Sequence, residues 1–260
     1  MEARHQSLGG INLYNGKMTR STLENCTDCY NLVLVSAGAG ELFAEGATYP
    51  VCEGSLLLIK PMTYYRITSP DTLKYTGLSF SDRAMSDMAK SIAELITEDA
   101  SYGFIYQGAE NIPYLSSTMR AMSNAQKLPA DCGEEYARGI LHALLAIISS
   151  ASGEHLCSVG DDLGAKIRAY LNENVTAEVT LESLERVFFV SKYYLCRAFN
   201  RYSGTSIHSY LTRKRIALAA KLIESGESAS SVAYKVGFGD YSAFYRAYVK
   251  YRGTSPTGNW

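Results

Sequence analysis

The sequence predicts an α+β chain of two parts, a small N-terminal β-barrel carrying helices and an all-α C-terminal domain with two helix–turn–helix segments. Three observations predict it. Short apolar runs punctuated by Gly and Pro fill residues 1–80. From Asp161 onward the apolar residues fall at helical spacing instead. Within that helical part, two similar segments recur at about 181–202 and 229–252. With 260 residues, each part is long enough to bury a core of its own.

In the first part, Tyr30–Ser36 reads as a strand that turns through Gly38-Ala39-Gly40 into Glu41–Ala44. Glu45-Gly46 turns into Ala47–Val51, Cys52-Glu53-Gly54 into Ser55–Ile59, and Lys60–Thr63 leads to Tyr64–Thr68. Leu73–Phe80 closes the run. That rhythm is the signature of a small sandwich or barrel. Helices are expected over Asp82–Ile96, Pro113–Lys127 and Asp131–Ser150. In the last of these the apolar residues cover more than one face. The helix is therefore either buried wholly in its own domain, or it pairs subunits through Tyr136, Ile140, Leu141, Leu144, Leu145 and Ile148. The expected division is a barrel over 1–80, packing helices over 81–152, a small polar linker over 153–160 and a helical domain over 161–260.

The formal net charge of -1 hides a split between these parts. Residues 1–160 hold 11 basic against 17 acidic side chains, and residues 161–260 hold 14 against 9. Between Arg186 and Arg252 the ratio is 12 to 3, the footprint of a polyanion-binding module. In the first segment, Leu181–Phe188 is a helix, Phe189-Val190 the turn, and Ser191 the cap of a helix running to Tyr202. Leu195 and Phe199 should face inward, leaving Tyr193, Arg197 and Arg201 on an outer stripe. In the second, Ser228–Lys235 supports the turn Val236–Gly239, and Asp240 caps a helix over Tyr241–Arg252. Phe244 and Tyr248 face inward there, while Ser242 and Arg246 face outward, flanked by Tyr241, Tyr245 and Lys250. Such an outer stripe suits a major groove, where Arg reads guanine. Between the segments, Ser206–Ser225 is one long helix with the basic cluster Arg213-Lys214-Arg215. Twenty helical residues span roughly 30 Å, close to one turn of duplex DNA.

These residues resemble the AraC/XylS family of bacterial transcription regulators. The resemblance is carried by Leu184, Ser191, Tyr194-Leu195, Arg197, Phe199, Gly204, Tyr210-Leu211, Arg215, Ala219, Leu222, Val232-Ala233, Val236-Gly237-Phe238, Phe244, Arg246 and Pro256. It implies base reading by Tyr193 and Arg197 in the first motif and by Tyr241, Ser242 and Arg246 in the second. Ser191, Lys192, Lys250 and the helix N-termini would meet phosphates. The chain departs from the family pattern at Glu185, where Ala is usual, and at Phe189, a turn position often held by Gly. A carboxylate at position 185 must reach solvent or a basic partner such as Arg197 or Arg201. The closing Tyr-Arg of the family is also missing from Thr257–Trp260.

The N-terminal run resembles the cupin-like ligand-binding domain of such regulators through Tyr30–Val35, Gly40, Tyr49-Pro50, Glu53-Gly54, Leu56–Ile59 and Pro61. Metal-dependent cupins use His sets, and this chain has no His between residues 6 and 141, so no metal, cofactor or catalytic residue is expected. The barrel could hold a small effector, with a saccharide as the family-based default. Tyr14, Tyr30, Tyr49, Tyr65, Arg66 and Tyr75 are the candidate lining, Arg66 favouring an anionic or hydroxyl-rich ligand. Cys26-Thr27-Asp28-Cys29 lacks a second Cys pair, so incidental cysteines outweigh a thiol or zinc sensor. No leader or long apolar span is evident, which places the chain in the cytoplasm with reduced thiols and no membrane partner. The expected partners are double-stranded DNA, a small effector, a second copy of the chain and RNA polymerase. The other readings are a cupin-like enzyme with a DNA-binding tail and a ligand-independent dimeric regulator.

Overall fold

Continuous burial over Tyr30–Val33 and Leu56–Ile59 shows that the middle of the N-terminal sheet is covered on both faces. A computed structural model describes residues 6–8, 10–97, 102–151, 153–155 and 163–257. The chain divides into two units, Met1–Glu24 with Cys29–Cys157, and Asn25–Asp28 with Ser158–Trp260. The first contains, in order, β1 (Gln6–Leu8), β2 (Ile11–Asn25), β3 (Tyr30–Ala37), β4 (Ala39–Ala44), β5 (Ala47–Cys52), β6 (Leu56–Ile59) and β7 (Tyr65–Phe80). Then come α1 (Asp87–Thr97), β8 (Gly103–Tyr106), α2 (Leu115–Ala121), α3 (Ala130–Ile148) and β9 (Glu154–His155). The strands form one curled sheet in the order β1-β2-β7-β3-β6-β8-β9, with β4 set against β5 and β7.

Strand β7 organises this sheet. Its C-terminal half pairs antiparallel with β3, from Tyr30 opposite Phe80 to Ala37 opposite Lys74. Its N-terminal half pairs with β4, from Glu41 opposite Thr68 to Ala44 opposite Tyr65. The sequence suggested two strands here, broken around Pro70. They are one strand because Pro70 lies between the two ladders, where its missing N–H deprives neither β3 nor β4 of a partner. On the inner, concave face lie Val33, Val35, Leu42, Tyr49, Leu57, Ile59, Tyr65, Ile67 and Tyr75. On the other face Leu32, Leu56, Leu58, Leu78, Phe80 and Phe104 pack beneath the helices. Each aliphatic side chain buried in this way stabilises the fold by about 1.5–3 kcal/mol.

Two short strands were not expected, one between the helices expected over Asp82–Ile96 and Pro113–Lys127 and one in the expected linker. β8 pairs with β6, from Leu56 opposite Tyr106 to Ile59 opposite Gly103, and Glu154 and His155 pair with β8. Neither has enough residues to announce itself by alternation, and the sheet edge supplies the missing order. Residues 156–160 of the expected linker lie outside the described residues.

In the second unit, α4 (Leu163–Glu173) precedes α5 (Leu181–Phe188), α6 (Lys192–Ser203), α7 (Ile207–Glu224), α8 (Ala229–Lys235) and α9 (Tyr241–Arg252). Side chains of Thr180, Ser191, Ser206, Ser228 and Asp240 accept backbone N–H bonds at the starts of α5 to α9. Gly204 and Gly253 end α6 and α9 in the left-handed conformation. Phe199 sets its ring edge-on to Tyr210 at 5.4 Å in the first motif. Phe244 packs with Val232, Val236 and Tyr248 in the second.

Candidate nucleic-acid interface and ligand-binding face

Burial of Leu195 and Phe199 fixes which side of α6 points away from its own domain. Ser191, Lys192, Tyr193, Arg197 and Arg201 are all exposed there. Tyr193 is 70% exposed, so it does not serve as core packing. The Arg197 guanidinium lies 5.6 Å from the Tyr193 ring centre, so the two form one surface. An open cleft of about 480 Å³ follows this face, lined by Tyr193, Cys196, Arg197, Asn200, Arg201, Ser206 and Ile207. Sequence reading missed Cys196 and Asn200, although their positions three and seven residues after Tyr193 carried the signal.

On α9, Ser242, Tyr245, Arg246 and Lys250 are exposed around the buried pair Phe244 and Tyr248. Tyr241 is half-buried, its ring 5.8 Å from Phe244 and 6.3 Å from Tyr245, so part of it belongs to the core. Burial raises the Tyr248 phenol above its ordinary value, as befits a core ring.

Glu185 pairs with neither Arg197 nor Arg201. Its Oε1 accepts a short hydrogen bond from the Lys192 backbone N–H at the start of α6. Beside it, Glu182 lies 3.5 Å from Lys192 Nζ. Hydrogen bonding from its own backbone N–H, and then the Lys192 charge, hold the Glu182 carboxyl below its ordinary value. The Arg213-Lys214-Arg215 cluster is turned to structural use. Arg215 donates to the carbonyls of Val175 (2.8 Å) and Ala177 (2.7 Å), and its own pKa is lowered by burial. Lys214 is buried over Tyr210, and Arg213 lies over Tyr251.

In the N-terminal unit the candidate lining divides by face. Side-chain bonds Asn12–Ser79, Asn15–Thr76 and Thr19–Thr72 share one antiparallel β2–β7 register, which sets Tyr14 opposite Gly77 and Tyr75 opposite Gly16. Each phenol lies over the opposite glycine, where a Cβ would come within 2.3 Å of ring atoms. Tyr14 and Tyr75 meet edge to face at 6.2 Å, and Tyr49 and Tyr65 pack in the same cluster. Burial, reinforced by the nearby Tyr65 and Tyr75 phenols, holds Tyr14 well above its ordinary pKa, and burial raises Tyr75 as well.

Tyr30 and Arg66 do not join them. Tyr30 stacks on Phe80 at 5.4 Å beneath the helices, and burial pushes its phenol up to about 12. Arg66 stands opposite Phe43, 5.2 Å from its ring, at a position alternate to the inward Tyr65 and Ile67. Arg66 therefore gives no support for an anionic ligand in the interior.

Leu141, Leu144, Leu145 and Ile148 of α3 are fully buried in their own unit's core, with Tyr136 and Ile140 packed against it. Helices α1 and α2 pack against α3. The exposed strip of α3 is instead Glu135, Gly139, Ala143 and Ala146. Cys26 and Cys29 are both buried. Among the described residues, no group of three or more His, Cys, Asp or Glu is placed to hold a metal, and no helix is long and apolar enough to cross a membrane.

Comparison with known proteins meets this geometry at both ends. Residues 11–156 match the AraC-like ligand-binding domain, and residues 184–258 match a helix-turn-helix domain. The chain belongs to the AraC family. Its relatives include the HTH-type transcriptional regulator YbfI of Bacillus subtilis, 26% identical over 83% of this chain and 78% of that one. The HTH-type transcriptional activator RhaS of Citrobacter koseri is 23% identical over 85% of this chain and 81% of its own. Among solved structures, the AraC-like activator CuxR aligns with a TM-score of 0.47 at 16% identity, over 84% of this chain and 79% of CuxR. ToxT of Vibrio cholerae aligns at 0.42 and 13%, over 95% and 96%. As an AraC-family protein the chain is a transcription regulator with an N-terminal ligand-binding domain and a C-terminal DNA-binding domain.

Proposed function

We propose that this regulator reads bases through Arg197 and Tyr193 on α6 and through Arg246, Ser242 and Tyr245 on α9, under the control of a small uncharged effector. Exposure of those side chains around buried helix stripes supports the first half. The effector class rests on one observation. Tyr14, Tyr49, Tyr65 and Tyr75 pack in one cluster on the concave face. Phenols offer both hydrogen bonding and aromatic faces to a hydroxyl-bearing molecule, and a neutral saccharide or polyol fits that chemistry. The names of the relatives support a regulator rather than an enzyme. A homodimer would draw on the exposed α3 strip, since the apolar residues of α3 are consumed in its own core.

Thermal denaturation of the full chain against neutral sugars, polyols, phenols and sugar acids tests the effector class. A neutral hydroxyl-bearing compound at a hundred times its Kd should add about 2.7 kcal/mol, a shift of several degrees. Tyr65→Phe or Tyr75→Phe should remove most of that shift. A response confined to anionic compounds would contradict the proposal.

A further inference from the structure

The start of α6 is already occupied by the chain's own negative charge. The first N–H groups of any helix lack partners within it and carry partial positive charge, which makes them a phosphate-binding end. In α6 the first of these, on Lys192, donates to Glu185. The third, on Tyr194, donates to the Ser191 hydroxyl at 3.4 Å. The nearby cation, Lys192 Nζ, faces Glu182. A phosphate arriving at this end would compete with the Glu185 and Glu182 carboxylates for the Lys192 N–H and ammonium.

The second motif provides an internal comparison. Leu184 of α5 and Val232 of α8 are both fully buried in the two supporting helices. The next residue is Glu185 in the first motif and Ala233, fully buried, in the second. A methyl group cannot reach the start of α9. There Asp240 caps the third N–H, on Ala243 at 2.7 Å, and no side chain of α8 covers the first. The two recognition helices of one chain thus present differently occupied ends.

Building on the DNA-binding assignment, we propose that Glu185 is an internal stand-in for a DNA phosphate. It lowers the affinity of the first motif and leaves α9 as the stronger anchor. Docking of α6 requires its first N–H to exchange a carboxylate for a phosphate, with Glu182 drawing Lys192 away from the same phosphate. The arrangement weakens sequence-independent binding, which phosphate contacts dominate.

A random-sequence duplex of about 40 base pairs is a suitable probe, because phosphate contacts do not depend on sequence. Binding of the full chain by fluorescence anisotropy is compared with Glu185→Ala, Glu185→Gln and Asp87→Asn across a salt series, with the Tm of each variant recorded. Asp87 lies on α1 and controls for loss of an acidic charge elsewhere. Glu185→Ala is expected to bind about three- to tenfold tighter at low salt, with a log–log salt slope steeper by about 0.9, one further phosphate. Glu185→Gln, which keeps an acceptor for the Lys192 N–H, should show most of the gain even if the Ala variant folds poorly. Asp87→Asn should change affinity by less than about twofold. Unchanged or weaker binding by Glu185→Gln at wild-type Tm would overturn the proposal and leave Glu185 a structural cap. A gain equal to that of Asp87→Asn would do the same. Failure of the wild-type chain and all variants to bind the duplex would overturn the DNA-binding assignment as well.

Discussion

At the turn of the first motif, Phe189 holds φ 55° while its side chain is 91% exposed. Left-handed backbone costs a non-glycine residue about 1–3 kcal/mol, and this ring recovers little by packing. Phe189→Gly should therefore raise the stability of the chain by about 1 kcal/mol, read by denaturant midpoint. Gly237 is the opposite case. It sits at φ 90° with Thr176 O 2.7 Å from where a Cβ would be, so Gly237→Ala should cost about 1–3 kcal/mol. No change in either variant would remove strain from the description of these turns. The outward residues of α6 and α9 were legible in the sequence because helix spacing alone assigns their faces. Tyr30 and Arg66 were not, because a strand side chain takes its face from register, and a shift of one residue reverses it.

Among the elements, the starts of α6 to α9 were the most legible, each announced by Ser or Asp at its cap. The broad apolar band of α3 was legible too. Its partners were not, since periodicity cannot distinguish a neighbouring helix from a second subunit. The basic cluster on α7 shows the converse. It contributes to the basic count of this stretch, yet Arg215 fastens α7 to the loop between α4 and α5 through two carbonyls. Arg215→Met keeps the aliphatic stem and removes both bonds. It should lower stability by about 2–3 kcal/mol by chemical denaturation. Wild-type stability with weakened DNA binding would place Arg215 in the interface instead.

For the whole molecule, the net charge of -1 conceals an acidic first part and a basic second part, and that split made a polyanion-binding region visible before any fold was assigned. The Tyr14–Tyr75 contact became visible only when β2 and β7 were aligned, because the two rings meet across strands some sixty residues apart. Sequence-specific binding by the second unit is the central claim, and selection of bound duplexes from a random pool tests it most directly. The wild-type chain should enrich one sequence with two reads separated by about one helical turn. Arg246→Ala should enrich the same sequence with one or two adjacent positions relaxed, each by about 1–3 kcal/mol of discrimination. Enrichment of no common sequence by the wild-type chain, or identical enrichment by Arg246→Ala, would contradict it.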